Sequence, residues 1–136
     1  MIKVLTEPEE VALIISINDD VEEKYNCIRG EWVQLLVSVC KDPRTLIIGM
    51  FDEEDNMNGY IFVQNYVSPP LSKIVHIIYA YPLTNIEDLR LAIEEIKDWA
   101  REQGADKLTV SVKEPEIFIN NFEFNISEYK ILEIGL

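Results

Sequence analysis

The sequence holds few side chains able to do chemistry, and they are scattered. His76 is the only histidine among 136 residues and the one group that readily changes charge near neutral pH. It stands in a strand-like apolar run, where a histidine either packs and hydrogen-bonds or acts as a base. Ser111 falls in the next apolar run, but one histidine gives no readable Ser-His-Asp arrangement. Cys27 and Cys40 match no metal or redox spacing and read as two reduced structural thiols. Glu54, Asn56, Asn58 and Gly59 echo the start of a calcium loop, with oxygen ligands at alternate positions and glycine sixth. The twelfth position is Asn65 instead of glutamate, and the flanks read as strands, so an acidic hairpin tip is the better account. No Cys/His cluster suggests zinc, and no metal site is expected.

These residues need elements to position them. In Ser72–Lys113, residues 74, 76, 78 and 80 would share one strand face and residues 75, 77 and 79 the other, both mostly apolar, as in a strand covered on two sides. The period then changes to 3.6, with Ile86, Leu89, Ile93, Ile96 and Ala100 on one stripe. Gly104 suits the left-handed position past the helix end, and Leu108–Val112 begins another strand. Strand, helix of about 18 residues, and strand make a right-handed crossover with the strands parallel. Thr84 and Glu87 have capping-box spacing at the helix start, and Glu87 and Asp88 put two acids in its first turn.

Upstream, Ile2–Leu5 is read as a first strand, and Thr6–Glu9 as a capping box with Pro8 in the first turn. That helix fades near Asn18–Asp20, and a second helix lies within Cys27–Cys40 and closes at Asp42-Pro43. Leu46–Phe51 and Tyr60–Val67 read as strands around the loop Asp52–Gly59, and Ser68–Pro70 as the next turn. After Glu114-Pro115 a short helix runs to Phe122, and Glu128–Ile134 reads as a last strand. The fold class is α+β with a mixed sheet: an antiparallel three-strand meander feeding a parallel crossover, with two N-terminal helices.

Composition limits the functions. One domain of this length can bury a single core. A net charge of −13 opposes nucleic acid and anionic membranes and favours basic protein patches or small amines. No apolar run is long enough to span a bilayer, and the N-terminus lacks signal-peptide features, so a cytoplasmic location is expected.

The element order, and above all Trp99–Val112 (WAREQGADKLTVSV) and Phe118–Ile134 (FINNFEFNISEYKILEI), resembles the GNAT N-acetyltransferase superfamily. The resemblance implies acetyl-CoA held by Ile78, Tyr79, Ala80 and Tyr81 on the strand and by Leu83, Thr84 and Asn85 at the helix start. It also implies a base near His76 and a tyrosine that protonates the departing thiolate. The pyrophosphate motif of the family, Q/R-x-x-G-x-G/A, is missing: Tyr81–Asp88 contains no glycine and no basic residue. Ile119 stands where the tyrosine belongs, leaving Tyr129 as a possible substitute, and Glu123-Phe124 replaces a Gly-Phe pair. The expectation is a domain with a degenerate acetyl-CoA site acting as a binding or structural module. The alternative is an active N-acyltransferase with an atypical cofactor loop. No cofactor is firmly implied, though acetyl-CoA remains possible.

Overall fold

Two apolar faces on one set of strands require cover on both sides, and the chain supplies it from its two ends. The computed structural model describes residues 1–68, 72–127 and 132–135. Five strands form one sheet in chain order: β1 (Ile2–Val4), β2 (Thr45–Phe51), β3 (Met57–Ser68), β4 (Ser72–Tyr81) and β5 (Lys107–Val110). The first four are antiparallel, and β4 and β5 pair in parallel, as the crossover requires. On one face lie α4 (Ile86–Glu102) and α5 (Glu116–Phe122), whose Leu89, Ile93, Ile96 and Phe118 pack on Ile48, Ile61, Val63, Val75 and Ile77. On the other face lie α1 (Pro8–Ala12), the 3-10 turn Leu13–Ser16, α2 (Val21–Tyr25) and α3 (Arg29–Val39). Here Val11, Ile14, Trp32 and Leu36 cover Ile47, Tyr60, Phe62 and Tyr79.

Four sequence expectations are corrected. First, the register of β4 shifts between Phe62–Tyr79 and Val63–Ile77, leaving Ile78 as an extra residue. That bulge reverses the alternation, so Val75 and Ile77 face α4 while Tyr79 faces the α1–α3 layer. With His76 the one strongly polar residue in this run, no alternation marks such a change. Second, no side chain caps α1, and its N-cap residue is Glu7, not Thr6. Third, the cap of α4 is Asn85, whose Oδ1 accepts from the Asp88 amide at 3.2 Å; Thr84 lies one residue too early. Asn85 Nδ2 also donates to Asp88 Oδ2 at 3.0 Å, a side-chain pair that takes the place of the capping box read at Thr84 and Glu87. Fourth, α2 fills a stretch to which the sequence reading gave no element, and β5 ends at Val110 instead of Val112.

The readings of Gly104, of the hairpin tip and of the cysteines hold. Gly104 has φ +74 just past α4. The hairpin tip is tied by Asp52, whose Oδ1 accepts from the amides of Glu54 and Asn56, both at 2.9 Å. Gly59 sits under close packing: a Cβ there would lie 2.4 Å from the Tyr81 carbonyl oxygen. Both cysteines are free thiols. Among the described residues no cluster could hold a metal, and no helix is long and apolar enough to cross a membrane. Of the final strand, residues 128–131 lie outside the described residues, as does most of the turn at Ser68–Pro70; residues 132–135 are not in a strand.

Candidate functional site

The pairing of β4 with β5 stops at Ile77–Val110, although β4 runs on to Tyr81. The bulge at Ile78 adds local twist at that point, and the two strands part. Between them opens a cleft of 660 Å³. One wall is Ile77–Ala80 with Leu83 and Thr84, and the other is Val110–Glu114 with Ile117 of α5. Asp20, Glu23 and Lys24, on and just before α2, close the mouth. Parted strands leave β4 backbone groups without a β5 partner, and such groups can hold an extended polar chain whatever the side chains are.

Why α2 sits there follows from a polar network under it. The carboxylate of Asp19 is fully enclosed. It accepts from Arg29 Nη2 at 2.8 Å and from the Tyr60 hydroxyl at 2.6 Å, and Trp32 Nε1 donates to that hydroxyl at 3.0 Å. Arg29 Nη1 also donates to the Ile17 carbonyl at 2.6 Å, so one guanidinium ties both ends of the turn before α2. Losing one member of such a buried pair costs about 3–5 kcal/mol, because the other charge is left uncompensated. The Tyr79 hydroxyl donates to Asp20 Oδ1 at 2.5 Å, Tyr25 donates to the Ile78 carbonyl in the bulge, and Tyr81 donates to the Asn18 carbonyl at 3.1 Å. Three strand-to-loop clamps thus fix the bulge against α2.

These partners set the protonation states. Burial pushes the Tyr79 hydroxyl far above the usual phenol range, and its bond to Asp20 adds to this. It stays protonated but already donates to a carboxylate. Burial likewise lowers the ammonium of Lys24, with Asp20 opposing. Lys24 Nζ rests 5.3 Å from the Tyr25 ring centroid and 5.5 Å from that of Tyr79.

Of the residues singled out in the sequence, Ile78, Tyr79, Ala80, Leu83, Thr84 and Ser111 line the cleft. Tyr81 and Asn85 are used elsewhere, the first on Asn18 and the second as the α4 cap. His76 sits below the cleft, where its Nδ1 lies 2.7 Å from Thr109 Oγ1 and its ring 5.9 Å from that of Tyr66. Burial, and then Lys24, lower its pKa, so it is neutral at physiological pH. Ile119 is exposed on α5, and Phe118 and Phe122 are buried, so α5 carries no proton donor of the tyrosine kind. Tyr129 lies outside the described residues.

Sequence reasoning missed Asp20, Glu23, Lys24 and Tyr25. The signal was present in DVEEKYN: acids in a first turn, lysine in the last, then asparagine, which adopts φ 49 as the C-cap.

The helix start expected to meet a pyrophosphate is occupied by its own chain. Asp88 is buried and turned inward, bonded to Asn85 and 3.0 Å from the amino group of Met1. Glu87 alone of the two acids stays exposed.

No protein-family model and no curated protein matches the sequence. Solved structures do. A probable acetyltransferase superposes with a TM-score of 0.75 at 16% identity, over 100% of this chain and 97% of that one. A ribosomal-protein-alanine N-acetyltransferase from Brucella melitensis biovar Abortus 2308 gives 0.72 at 13%, over 100% and 99%. A possible acetyltransferase from Clostridium difficile 630 gives 0.73 at 9%, over 100% and 97%. At such identities the likeness is one of fold: the chain has the GNAT-like mixed sheet.

Proposed function

We propose that this chain is a GNAT-fold binding module that takes an acyl-pantetheine arm into the β4–β5 cleft and lacks the machinery for rapid acetyl transfer. One observation carries the reading: the ladder ends at Ile77–Val110 and leaves a 660 Å³ slot walled by strand backbone. The pantetheine part of acetyl-CoA fits that donor set, because its amides need backbone partners and no special side chain. The nucleotide end does not fit equally well. The α4 start offers no glycine and no basic side chain, the Met1 amino group beside it is already paired with Asp88, and Asn85 already accepts from the Asp88 amide. Among the described residues, no free phenol reaches the cleft to protonate a leaving thiolate.

If so, acetyl-pantetheine and acetyl-CoA bind with similar, weak affinity, since the phosphates add nothing. Titration calorimetry with both ligands tests this. An affinity for acetyl-CoA more than about tenfold the higher, equal to about 1.4 kcal/mol, means that the phosphates are gripped and refutes the module reading.

A second reading, an active N-acyltransferase, is favoured by the mouth: Asp20 and Glu23 sit where an amine would enter, and a net charge of −13 attracts basic acceptors. Steady thiol release from acetyl-CoA with a polyamine or basic peptide would establish it. In either case we place the protein in the cytoplasm, with a basic protein or small amine as partner and without nucleic acid or membrane.

A further inference from the structure

We infer that Lys24 is an internal acyl acceptor: its side-chain amine takes the acyl group from a thioester lodged in the β4–β5 cleft. The inference rests on the acyl-pantetheine reading of the cleft and goes beyond it by assigning a modification site.

The geometry is specific to this lysine. Lys24 lies on α2, which Tyr25 clamps to the Ile78 carbonyl, and it lines the cleft opposite the strand backbone. Its Nζ is held over the rings of Tyr25 and Tyr79, the second being the residue next to the bulge. Restricting an amine to the mouth of a slot that holds a thioester makes the transfer effectively intramolecular, and such placement multiplies rates by large factors. Desolvation shifts the group toward its free-amine form, while Asp20 opposes that shift. Lys113 lines the other wall without an aromatic support, which makes it an internal control.

The step balances without a further reactant. The neutral Lys24 amine attacks the thioester carbonyl, a C–N bond forms, and the C–S bond breaks. The thiol leaves with the proton given up by the amine. The thiolate of an acyl thioester is a good leaving group on its own, so the absence of a tyrosine donor slows this step less than it would slow release of a poorer one. The product amide carries no charge, removing the cation above Tyr79 and filling the mouth with the acyl-lysine.

The test incubates the full chain with S-acetyl-pantetheine, followed by intact mass and peptide mapping. The expected result is a gain of one acetyl group, on Lys24, formed roughly a hundredfold faster than on Lys113. Unacylated pantetheine in excess suppresses it, and Lys24→Arg abolishes it while keeping the charge. Acetyl phosphate, which has no arm to lodge, shows no such preference. Calorimetry with pantetheine separates the two layers of argument. Binding without selective acetylation of Lys24 overturns the inference and leaves the cleft reading intact. Neither binding nor selective acetylation overturns both. Equal labelling of Lys24 and surface lysines by the thioester means solution acetylation, and it also overturns the inference.

Discussion

Replacing Asn85 by alanine removes two bonds at once, and the structure says what each contributes. Asn85 Oδ1 accepts from the Asp88 amide at 3.2 Å, the side-chain cap of α4; losing a cap of this kind costs about 1 kcal/mol. Asn85 Nδ2 donates to Asp88 Oδ2 at 3.0 Å, and Asp88 is only 8% exposed, so a buried carboxylate loses a donor for roughly another 1 kcal/mol. The expected loss for Asn85→Ala is therefore about 2 kcal/mol. Thr84 is exposed and no cap bond involves it, so Thr84→Ala should change stability by less than about 0.5 kcal/mol. Urea unfolding of the two variants measures the difference as a shift of midpoint at constant slope. If Thr84→Ala costs more than Asn85→Ala, the helix begins one residue earlier and the assignment of the cap fails.

Three other outcomes follow. Glu123 ends α5 with φ 61, a left-handed conformation that costs a side chain roughly 1 kcal/mol, so Glu123→Gly should stabilise the protein by that amount in the same assay. A Cβ on Gly59 would meet the Tyr81 carbonyl oxygen at 2.4 Å, and Gly59→Ala should cost about 2 kcal/mol or more; a neutral result would deny the close approach. The pKa of His76 is lowered by burial and then by Lys24, so the unfolded chain binds its proton first. Its contribution is complete above the ordinary value near 6.5 and is lost as pH falls below it, and His76→Gln should flatten stability against pH in that window.

The sequence carried the fold where periodicity was unambiguous. The apolar stripe at Ile86, Leu89, Ile93, Ile96 and Ala100 required a helix over one sheet face, and Gly104 marked its end. The parallel β4–β5 pair follows from that helix alone. The site was less legible because it depends on one inserted residue and one short helix. Ile78 is an extra residue in a mostly apolar run in which His76 is the one strongly polar residue, so no alternation of polar and apolar residues records the bulge. Five residues of α2 are too few to show a period. Their place is fixed by a network linking Arg29, Asp19, Tyr60 and Trp32, residues up to forty-one positions apart. Neither feature is local, and both are needed to make a cleft.

The nucleotide end of the cleft gives the last test. The sequence puts Glu87 and Asp88 together in the first turn of α4, as if both would repel a pyrophosphate. The structure divides them: Asp88 is buried and paired with the Met1 amino group and Asn85, and only Glu87 faces solvent. An exposed unit charge about 7 Å from a phosphate in water contributes about 0.5–1 kcal/mol. Glu87→Gln should therefore raise CoA affinity only two- to fivefold, and less at high salt. Asp88→Asn should bring no gain and lower stability, since it removes the buried charge and leaves its partners in place. What is missing is attraction and close approach, so a glycine-rich basic loop in place of Leu83–Glu87 should tighten CoA well beyond Glu87→Gln. Calorimetry on the three variants decides between these accounts. A tenfold or greater gain from Glu87→Gln alone would show that repulsion, and not the absence of a phosphate cradle, had kept the nucleotide out.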